Sequence, residues 1–189
     1  MCGRYTLSNK KEVKKKFNKK INTNFNITPF TKVLIINEEL KPCFIQWCYN
    51  PLWAKNSMNL INARSETLRQ KPSFKNVLPC IFITDGWYEW QQKQNIKIPY
   101  YFQKNSDLIY FAGIYNKTSG CAIITKKAHQ KISFIHHRQP VLLEEKDFSK
   151  WIEGQDIYDS TSTGCINFYP VSKDVNNPKN NSLKNIKQV

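Results

Sequence analysis

The sequence predicts an α+β fold, a single compact domain with a curled, barrel-like and mainly antiparallel sheet and a few short helices. Three observations support this. The chain has 189 residues, 40% of them hydrophobic, and a chain of this length can bury roughly 70% of its unfolded surface in one core. Short strand-like runs outnumber helical pieces. These runs also lack the regular alternation with helices that a parallel α/β sheet requires.

The first element we expect is a short helix near the N-terminus. Leu7 and Ser8 predict a hydrophobic staple and an N-cap. Val13 and Phe17 lie four residues apart and predict one apolar stripe. The other faces are rich in lysine, because the first twenty residues contain eight positive groups against Glu12. These faces are either a solvated surface or a surface for phosphate groups.

Six runs with the composition of strands follow, and Pro, Gly, Asn and Asp separate them. They are residues 32–36, 43–47, 80–84, 99–102, 108–114 and 121–125. Two helical pieces are expected at residues 65–69 and 144–151. The segment from Ser172 is rich in Asn and Lys. We therefore predict a domain over residues 1–171 and a loop-like or partly disordered tail over 172–189.

The charge of the chain indicates the class of partner. Lys and Arg total 29 against 14 Asp and Glu, which gives a formal net charge of +15. The positive field of so small a protein attracts polyanions. Nucleic acid is the first partner to consider, and an anionic membrane surface is the second.

The sequence shows neither a membrane span nor a signal peptide. Its apolar runs are much shorter than the roughly 18 residues of a span, and the N-terminus turns polar at once. We expect an intracellular protein whose six cysteines are reduced thiols. Those cysteines show no C-x-x-C spacing, and the three histidines do not complete a zinc pattern. We expect no metal, no cofactor and a monomer.

The arginines are few and are concentrated in short polar segments. The chain has 25 lysines but four arginines, and three of the four are Arg4, Arg64 and Arg138. An arginine retained in such a lysine-rich chain indicates a need for its planar fork, which binds a phosphate or carboxylate through two parallel hydrogen bonds. Two interpretations stay open for each of them, a phosphate contact or a buried ion pair.

Cys2 offers a reactive pair of groups if Met1 is removed. The free α-amine and the thiol, with ordinary pKa values of about 8 and about 8.5, would then lie on adjacent carbons. An aldehyde that meets this pair forms an imine, and the thiol closes a five-membered thiazolidine ring. A cysteine at position 2 is weak support when taken alone, because it is often incidental.

Gly86 to Trp90 form the third notable segment. If the segment is a strand, its alternation places Trp87 and Glu89 on one face and Tyr88 and Trp90 on the other. A carboxylate among aromatic side chains can have a pKa tuned for proton transfer. The alternative is an edge-strand glutamate beside core aromatics.

These segments, taken together, resemble a known family. The sequence is similar to the SRAP (SOS-response-associated peptidase) family over nearly the whole chain. The matching motifs, in order, are the Cys2-Gly3-Arg4 start, residues 26–29, 47–53, 62–67 and 86–90, Thr125, and residues 136–143. The resemblance implies one α+β domain with a barrel-like sheet and a basic cleft. It also implies a protein that shields abasic sites by crosslinking to DNA.

Position by position, the resemblance implies roles for twelve residues. Cys2 would be the crosslinking nucleophile, and its catalytic neighbours would be Asn62, Glu89 and His136. The residues expected to bind DNA are Arg4, Arg64 and Arg138 at phosphates, Trp47 and Trp53 beside bases, Pro29 and Thr125 along the cleft, and Trp90.

The chain also departs from the family pattern at a few positions. Cys48 replaces the glycine that is usual after the tryptophan, and Gln139 stands where Met or Arg is common. Asn176 and Asn177 occupy a Gly-Asn loop, where asparagine tolerates left-handed backbone better than most residues. His137 fills a variable position and receives no role. None of these departures removes a proposed catalytic group.

We therefore expect a protein that senses abasic sites in single-stranded DNA and forms a thiazolidine crosslink through Cys2. His136 would open the sugar ring as an acid, and Glu89 would orient the amine. Weak strand cleavage by β-elimination and self-removal of Met1 are compatible with this chemistry. Two alternatives stay open, a cysteine peptidase that uses Cys2, His136 and Asn62 and a passive binder of single-stranded nucleic acid.

Overall fold

The computed structural model describes residues 2–105, 107–158 and 165–189. Within these ranges the chain forms two sheets with few short helices, so the predicted α+β class is confirmed. The single curled sheet of the prediction is in fact two sheets. They pack through aromatic rings, since Tyr5 of the smaller sheet lies 6.5 Å from both Phe82 and Phe111 of the larger one, measured between ring centroids.

Thirteen strands are present in the described residues. They are β1 (Tyr5–Leu7), β2 (Asn24–Ile27), β3 (Lys32–Ile36), β4 (Pro42–Gln46), β5 (Asn62–Arg64), β6 (Leu78–Thr84), β7 (Gly86–Lys93), β8 (Ile96–Gln103), β9 (Ile109–Asn116), β10 (Gly120–Lys127), β11 (Arg138–Pro140), β12 (Leu142–Leu143) and β13 (Asn167–Pro170). The helices are α1 (Lys10–Phe17) and α2 (Phe148–Ile152), and 3₁₀ turns occur at Ser65–Thr67, Pro72–Phe74, Glu145–Asp147, Lys173–Asn176 and Leu183–Ile186.

The smaller sheet holds the N-terminal strand between two antiparallel neighbours. Its strand order is β13-β8-β7-β1-β2. Tyr5 of β1 pairs with Trp87 of β7 on one side and with Ile27 of β2 on the other. Because a central strand is hydrogen-bonded along both edges, the backbone that follows Cys2 is fixed in position.

The larger sheet has the order β11-β10-β9-β6-β3-β4, and β12 and β5 pair with β9 and β10. The pairing of β5 with β10 is parallel, whereas the other strand pairings in this sheet are antiparallel. A bridge between Trp47 and Cys121 brings the end of β4 back to β10. The sheet is therefore strongly curled without closing through a continuous ladder, and β10 lies between β5 and β11.

The lysine-rich helix α1 forms as predicted, but its N-cap is Asn9 and not Ser8. The Asn9 side chain accepts a hydrogen bond from the backbone N–H of Glu12 at 3.2 Å. Ser8 is engaged elsewhere, since its backbone N–H and its hydroxyl both donate to the carboxylate of Asp85. A long-range partner therefore moved the helix start by one residue.

Every predicted strand run overlaps an observed strand, while the helical predictions were less accurate. Residues 65–69 contain a single 3₁₀ turn, and residues 144–151 split into a 3₁₀ turn followed by α2. The segment after Ser172 contains two short 3₁₀ turns and places Val175 and Asn185 in buried positions. Within the described residues, none of the helices is long and apolar enough to cross a membrane.

Candidate active site

Cys2 and Asn62 are in direct contact. Cys2 precedes β1 and is fully buried. Asn62 begins β5, and its Nδ2 donates a hydrogen bond to the backbone carbonyl of Cys2 at 2.9 Å. Its buried Oδ1 has no hydrogen-bond partner in the described part of the chain. Asn62 therefore holds the Cys2 backbone and retains an acceptor that can receive an N–H or a sugar hydroxyl.

Burial makes the thiol of Cys2 a weak acid. It raises the pKa of the thiol well above its ordinary value, and the nearby charge of Glu89 raises the pKa further. A thiolate is therefore scarce at rest near neutral pH. Attack by this sulfur requires a neighbouring base to take its proton as the bond forms.

Glu89 has the properties of such a base. It lies in β7 opposite Tyr100 of β8 and is 4% exposed. Burial raises the pKa of its carboxyl group to about 7. Both protonation states are then populated near neutral pH, so Glu89 can accept and return a proton with little cost.

His136 lies beside Glu89, with its Nδ1 3.8 Å from the Glu89 Oε2. The backbone N–H of Arg138 donates to the same Nδ1 at 3.0 Å. The same Nδ1 also lies 3.1 Å from the carbonyl oxygen of Arg138, so the backbone of Arg138 can hold the ring in either neutral tautomer. Burial lowers the pKa of His136 below its usual value, so its imidazolium is a stronger acid than free histidine.

An open cavity of about 520 Å³ adjoins Glu89 and His136, whereas Cys2 and Asn62 are not among its lining residues. It is lined by Arg4, Glu89, Trp90, Gln92, Lys97, His136 and Asn176. Its position gives a bound molecule direct access to Glu89 and His136. We take this cavity as the candidate site because it contains titratable groups with perturbed pKa values.

Arg4 and Trp90 form one wall of the cavity and are held by the C-terminal segment. The Nη1 of Arg4 donates to Asn26 Oδ1 at 2.7 Å and to the carbonyl of Val175 at 2.8 Å. Its guanidinium lies 5.9 Å from the centre of the Trp90 ring. Trp90 Nε1 donates to Asn176 Oδ1 at 2.7 Å. Residues beyond 171 therefore complete the wall of the site.

Arg138 is held in an ion pair in the structure. Its side chain is 9% exposed, and its two terminal nitrogens donate to the two carboxylate oxygens of Glu66 at 2.5 and 2.9 Å. A further bond runs from Nη2 to the carbonyl of Thr125 at 2.5 Å. Hydrogen bonding to Arg138 lowers the pKa of Glu66 to about 2. The geometry corresponds to the ion-pair interpretation, and a phosphate role for Arg138 stays a prediction.

Arg64 lies on the opposite side of β10 and is exposed. It ends β5, where its position pairs with Thr125 of β10. The exposed Arg64 therefore lies two residues from Asn62 in the same strand. Of the three arginines predicted to bind phosphate, Arg64 is the one whose exposure allows this without rearrangement.

The remaining predicted DNA contacts divide into buried and exposed residues. Trp47 is fully buried, its Nε1 donates to the carbonyl of Ile61 at 2.9 Å, and its ring lies 5.2 Å from that of Tyr5. Thr125 is also fully buried. These two residues support the wall of the site from inside and present no surface to a base. Trp53 is 60% exposed and is free to contact one.

Pro29 is half-buried and is followed by Phe30, which is 58% exposed and has a φ of 69°.

Sequence reasoning missed three residues near the site, Glu66, Gln92 and Lys97. Extending the strand alternation two residues beyond Trp90 would have placed Gln92 on the face of Trp90.

The part of the chain that the structure describes shows no cluster of three or more His, Cys, Asp or Glu fit for a metal ion. The predicted removal of Met1 concerns a residue outside the described ranges.

Solved structures of similar shape support the fold. A protein from Bacteroides thetaiotaomicron superposes with a TM-score of 0.75 at 22% identity, and the match covers 88% of this chain and 85% of that one. A phage-related protein from Bordetella bronchiseptica superposes with a TM-score of 0.73 at 23% identity, and covers 91% and 95%. At such low identity these likenesses show the fold alone.

Sequence comparisons give the family. The abasic site processing protein YoqW of Bacillus subtilis is 33% identical, with 96% of this chain and 97% of the relative covered. YedK of Escherichia coli, also an abasic site processing protein, is 30% identical over 87% and 84%. The model of the SOS response associated peptidase (SRAP) family matches residues 1–178. The chain therefore belongs to the SRAP family.

Proposed function

We propose that this protein processes abasic sites in single-stranded DNA and traps them as a covalent adduct on Cys2 after Met1 has been removed. The observation that carries the proposal is the series of neighbours that runs from Asn62 through Cys2 and Glu89 to His136. Asn62 bonds to the Cys2 backbone, the charge of Glu89 acts on the Cys2 thiol, and Nδ1 of His136 lies 3.8 Å from Oε2 of Glu89. The relatives named as abasic site processing proteins support the same substrate. Such a protein acts where DNA is present in the cell.

The first step is opening of the sugar. An abasic sugar is mostly a closed hemiacetal; the imidazolium of His136 protonates the ring oxygen as its bond to C1′ breaks, and the C1′ hydroxyl gives up its proton to water and becomes the aldehyde carbonyl. Because burial lowers the pKa of His136, the charged ring is a minor form at neutral pH but gives up its proton readily. After transfer, the neutral ring stays held through Nδ1 by the backbone of Arg138.

The second step joins protein and DNA. The α-amine of Cys2 attacks the aldehyde carbon, and loss of one water molecule leaves an imine. The thiol then adds across the C=N bond, so that a C–S bond forms and the nitrogen gains a proton. Glu89, with a pKa of about 7, can take the thiol proton and return it to nitrogen. The high pKa of the buried Cys2 thiol makes this relay necessary.

Two other functions fit the geometry less well. A cysteine peptidase would need Asn62 to orient His136, but the Nδ2 of Asn62 bonds to Cys2 and the backbone of Arg138 orients the histidine. A passive binder of single strands would not need a buried carboxylate with a pKa near 7. The adduct-forming function accounts for both features.

The decisive experiment compares processed protein with protein that carries one extra residue before Cys2. The processed form should give a heat-stable adduct with single-stranded DNA that contains one abasic site, and none with intact DNA of the same sequence. The extended form should give no adduct, because its α-amine lies on another residue. An adduct of equal yield from the extended form would exclude thiazolidine formation.

A further inference from the structure

The arginines that line or adjoin the cavity have few donors left for a phosphate. Arg4 donates to Asn26 and to the carbonyl of Val175, and Arg138 is paired with Glu66. A single-stranded DNA that crosses the cavity nevertheless brings a phosphate with every nucleotide. Its binding requires cations that are not already occupied.

Lys97 is a cation in a suitable position. It lies in β8, its side chain is exposed, and it lines the cavity together with Glu89 and His136. No acidic group lies within ion-pair distance of its ammonium in residues 2–105, 107–158 and 165–189. An ammonium group in this setting is available to a phosphodiester.

The β7–β8 hairpin fixes the direction in which Lys97 points. Lys97 pairs with Gln92 across the ladder, and Gln92 lies two residues from Trp90 in β7. Cross-strand partners share a face of the sheet, and so do residues two apart. Lys97, Gln92 and Trp90 therefore lie on one face. The Nε2 of Gln92 donates to the carbonyl of Gln94 at 2.5 Å and braces the hairpin turn beside Lys97.

We propose that Lys97 binds the phosphodiester of a nucleotide that neighbours the abasic one, on the outer side of Trp90. Gln92 lies three residues beyond Glu89, which is roughly 10 Å along the strand at about 3.3 Å per residue. The phosphate held there belongs to the flanking strand and not to the reacting sugar. This inference rests on the proposed function and adds a strand-positioning residue to it.

The charges around the cavity favour this role. Glu89 is the acidic residue among the lining groups, and burial raises its pKa to about 7, so it carries only part of a negative charge near neutral pH. Arg4 adds a positive charge to the same lining. Trp90, whose ring centre lies 5.9 Å from the Arg4 guanidinium, offers an aromatic ring to the base that accompanies the bound phosphate.

The test uses Lys97→Gln with Lys93→Gln as a matched control. Lys93 is in the same hairpin and is also exposed, but it lies one residue from Gln92 on the opposite face and does not line the cavity. Equilibrium binding to intact and abasic single strands is measured over a range of salt concentrations. Lys97→Gln should weaken both and lower the salt slope by about 0.7, the contribution of one single-strand phosphate contact. Lys93→Gln should leave the slope unchanged.

Adduct kinetics give the second readout. For Lys97→Gln the DNA concentration at half-maximal rate should rise while the maximal rate stays close to that of the parent, because a uniform binding contact is lost. Lys97→Arg should restore both binding and slope. Equal slopes for Lys97→Gln and Lys93→Gln would overturn the proposal. If no variant, parent included, forms an adduct, the proposed function fails, while the equilibrium slopes still decide whether Lys97 binds the strand.

Discussion

Two of the strands that pair with β10, β5 and β11, bear arginines of the same predicted role in opposite surroundings. On the β5 side, Arg64 is exposed. On the β11 side, Arg138 is 9% exposed and bonded to Glu66 and to the carbonyl of Thr125. Glu66 follows Arg64 by only two residues, yet it pairs with the arginine across β10. Neighbours in space, and not residue type, decide what each guanidinium can bind.

The β5 and β11 sides of β10 also differ in which residues of the candidate site they hold in place. The backbone N–H of Arg138 bonds to Nδ1 of His136 at 3.0 Å, so the ion pair on the β11 side holds the proposed acid in place. The β5 side combines Asn62, which holds the Cys2 backbone, with an arginine that faces solvent. We therefore expect changes on the β11 side to affect chemistry and stability, and loss of Arg64 to affect binding alone.

The largest effect should come from the acid on the β11 side. His136→Ala should slow adduct formation on a natural abasic site by about a hundredfold to ten-thousandfold, the usual cost of losing one positioned acid. It should have little effect on a small aldehyde that is already open, because ring opening is then no longer part of the barrier. Gel-based time courses with both substrates measure the two rates.

Glu89→Gln is the companion variant for this comparison. Both reactions need the amine held and the thiol proton accepted, so Glu89→Gln should slow both. Misfolding would instead depress both substrates in both variants. Equal slowing of the open aldehyde and the abasic strand by His136→Ala would assign that residue to a later proton transfer.

Next in size is the loss of stability on removing Arg138. Arg138→Ala leaves the Glu66 carboxylate and the Thr125 carbonyl without their donor, and we expect the free energy of unfolding to fall by about 2 kcal/mol. This value is below that for a fully buried pair because the Glu66 side chain is 49% exposed. Urea denaturation measures the change, and Arg64→Ala is the matched control, expected within about 0.5 kcal/mol of the parent. Equal free energies of unfolding for Arg138→Ala and Arg64→Ala would show that the Arg138–Glu66 ion pair does not stabilise the fold.

A smaller effect should appear in DNA binding by the β5 side. Arg64→Ala should weaken binding to intact and abasic strands alike and lower the salt slope by about 0.7. The cause is the loss of one phosphate contact that does not depend on the lesion. Fluorescence anisotropy over a salt series measures both quantities. An unchanged slope would assign Arg64 to a structural role, and a selective loss for abasic strands would place it at the lesion itself.

The smallest effect concerns the pH dependence of stability. The folded-state pKa of Glu66 is lowered to about 2 from an ordinary value of 4.5. Its stabilisation is therefore fully present above pH 4.5 and is lost as the pH falls from there towards 2. Glu66→Gln should show a shallower loss of stability in this window, measured by thermal unfolding at several pH values. Parallel curves for parent and variant would mean that Glu66 has the same pKa in the unfolded chain.

The short motifs and the regular elements could be predicted from local sequence patterns. The six predicted strand runs overlap observed strands because alternating or continuous apolar residues are a local signal. Helix α1 followed from the spacing of Val13 and Phe17 in the same way. Cys2, Asn62, Glu89 and His136 were identified through family motifs, which preserve residues without stating their contacts.

The burial and the partners of those side chains depend on long-range contacts that local patterns do not contain. The short strands β1, β2, β5, β11 and β12 have two to four residues each, too few to show a period. Trp47 and Trp53 are both tryptophans of one motif, yet the first is fully buried and the second is 60% exposed. Arg138 and Glu66 are 72 residues apart in sequence. Burial and ion pairing depend on which distant segments the sheets bring together, and no local pattern encodes that.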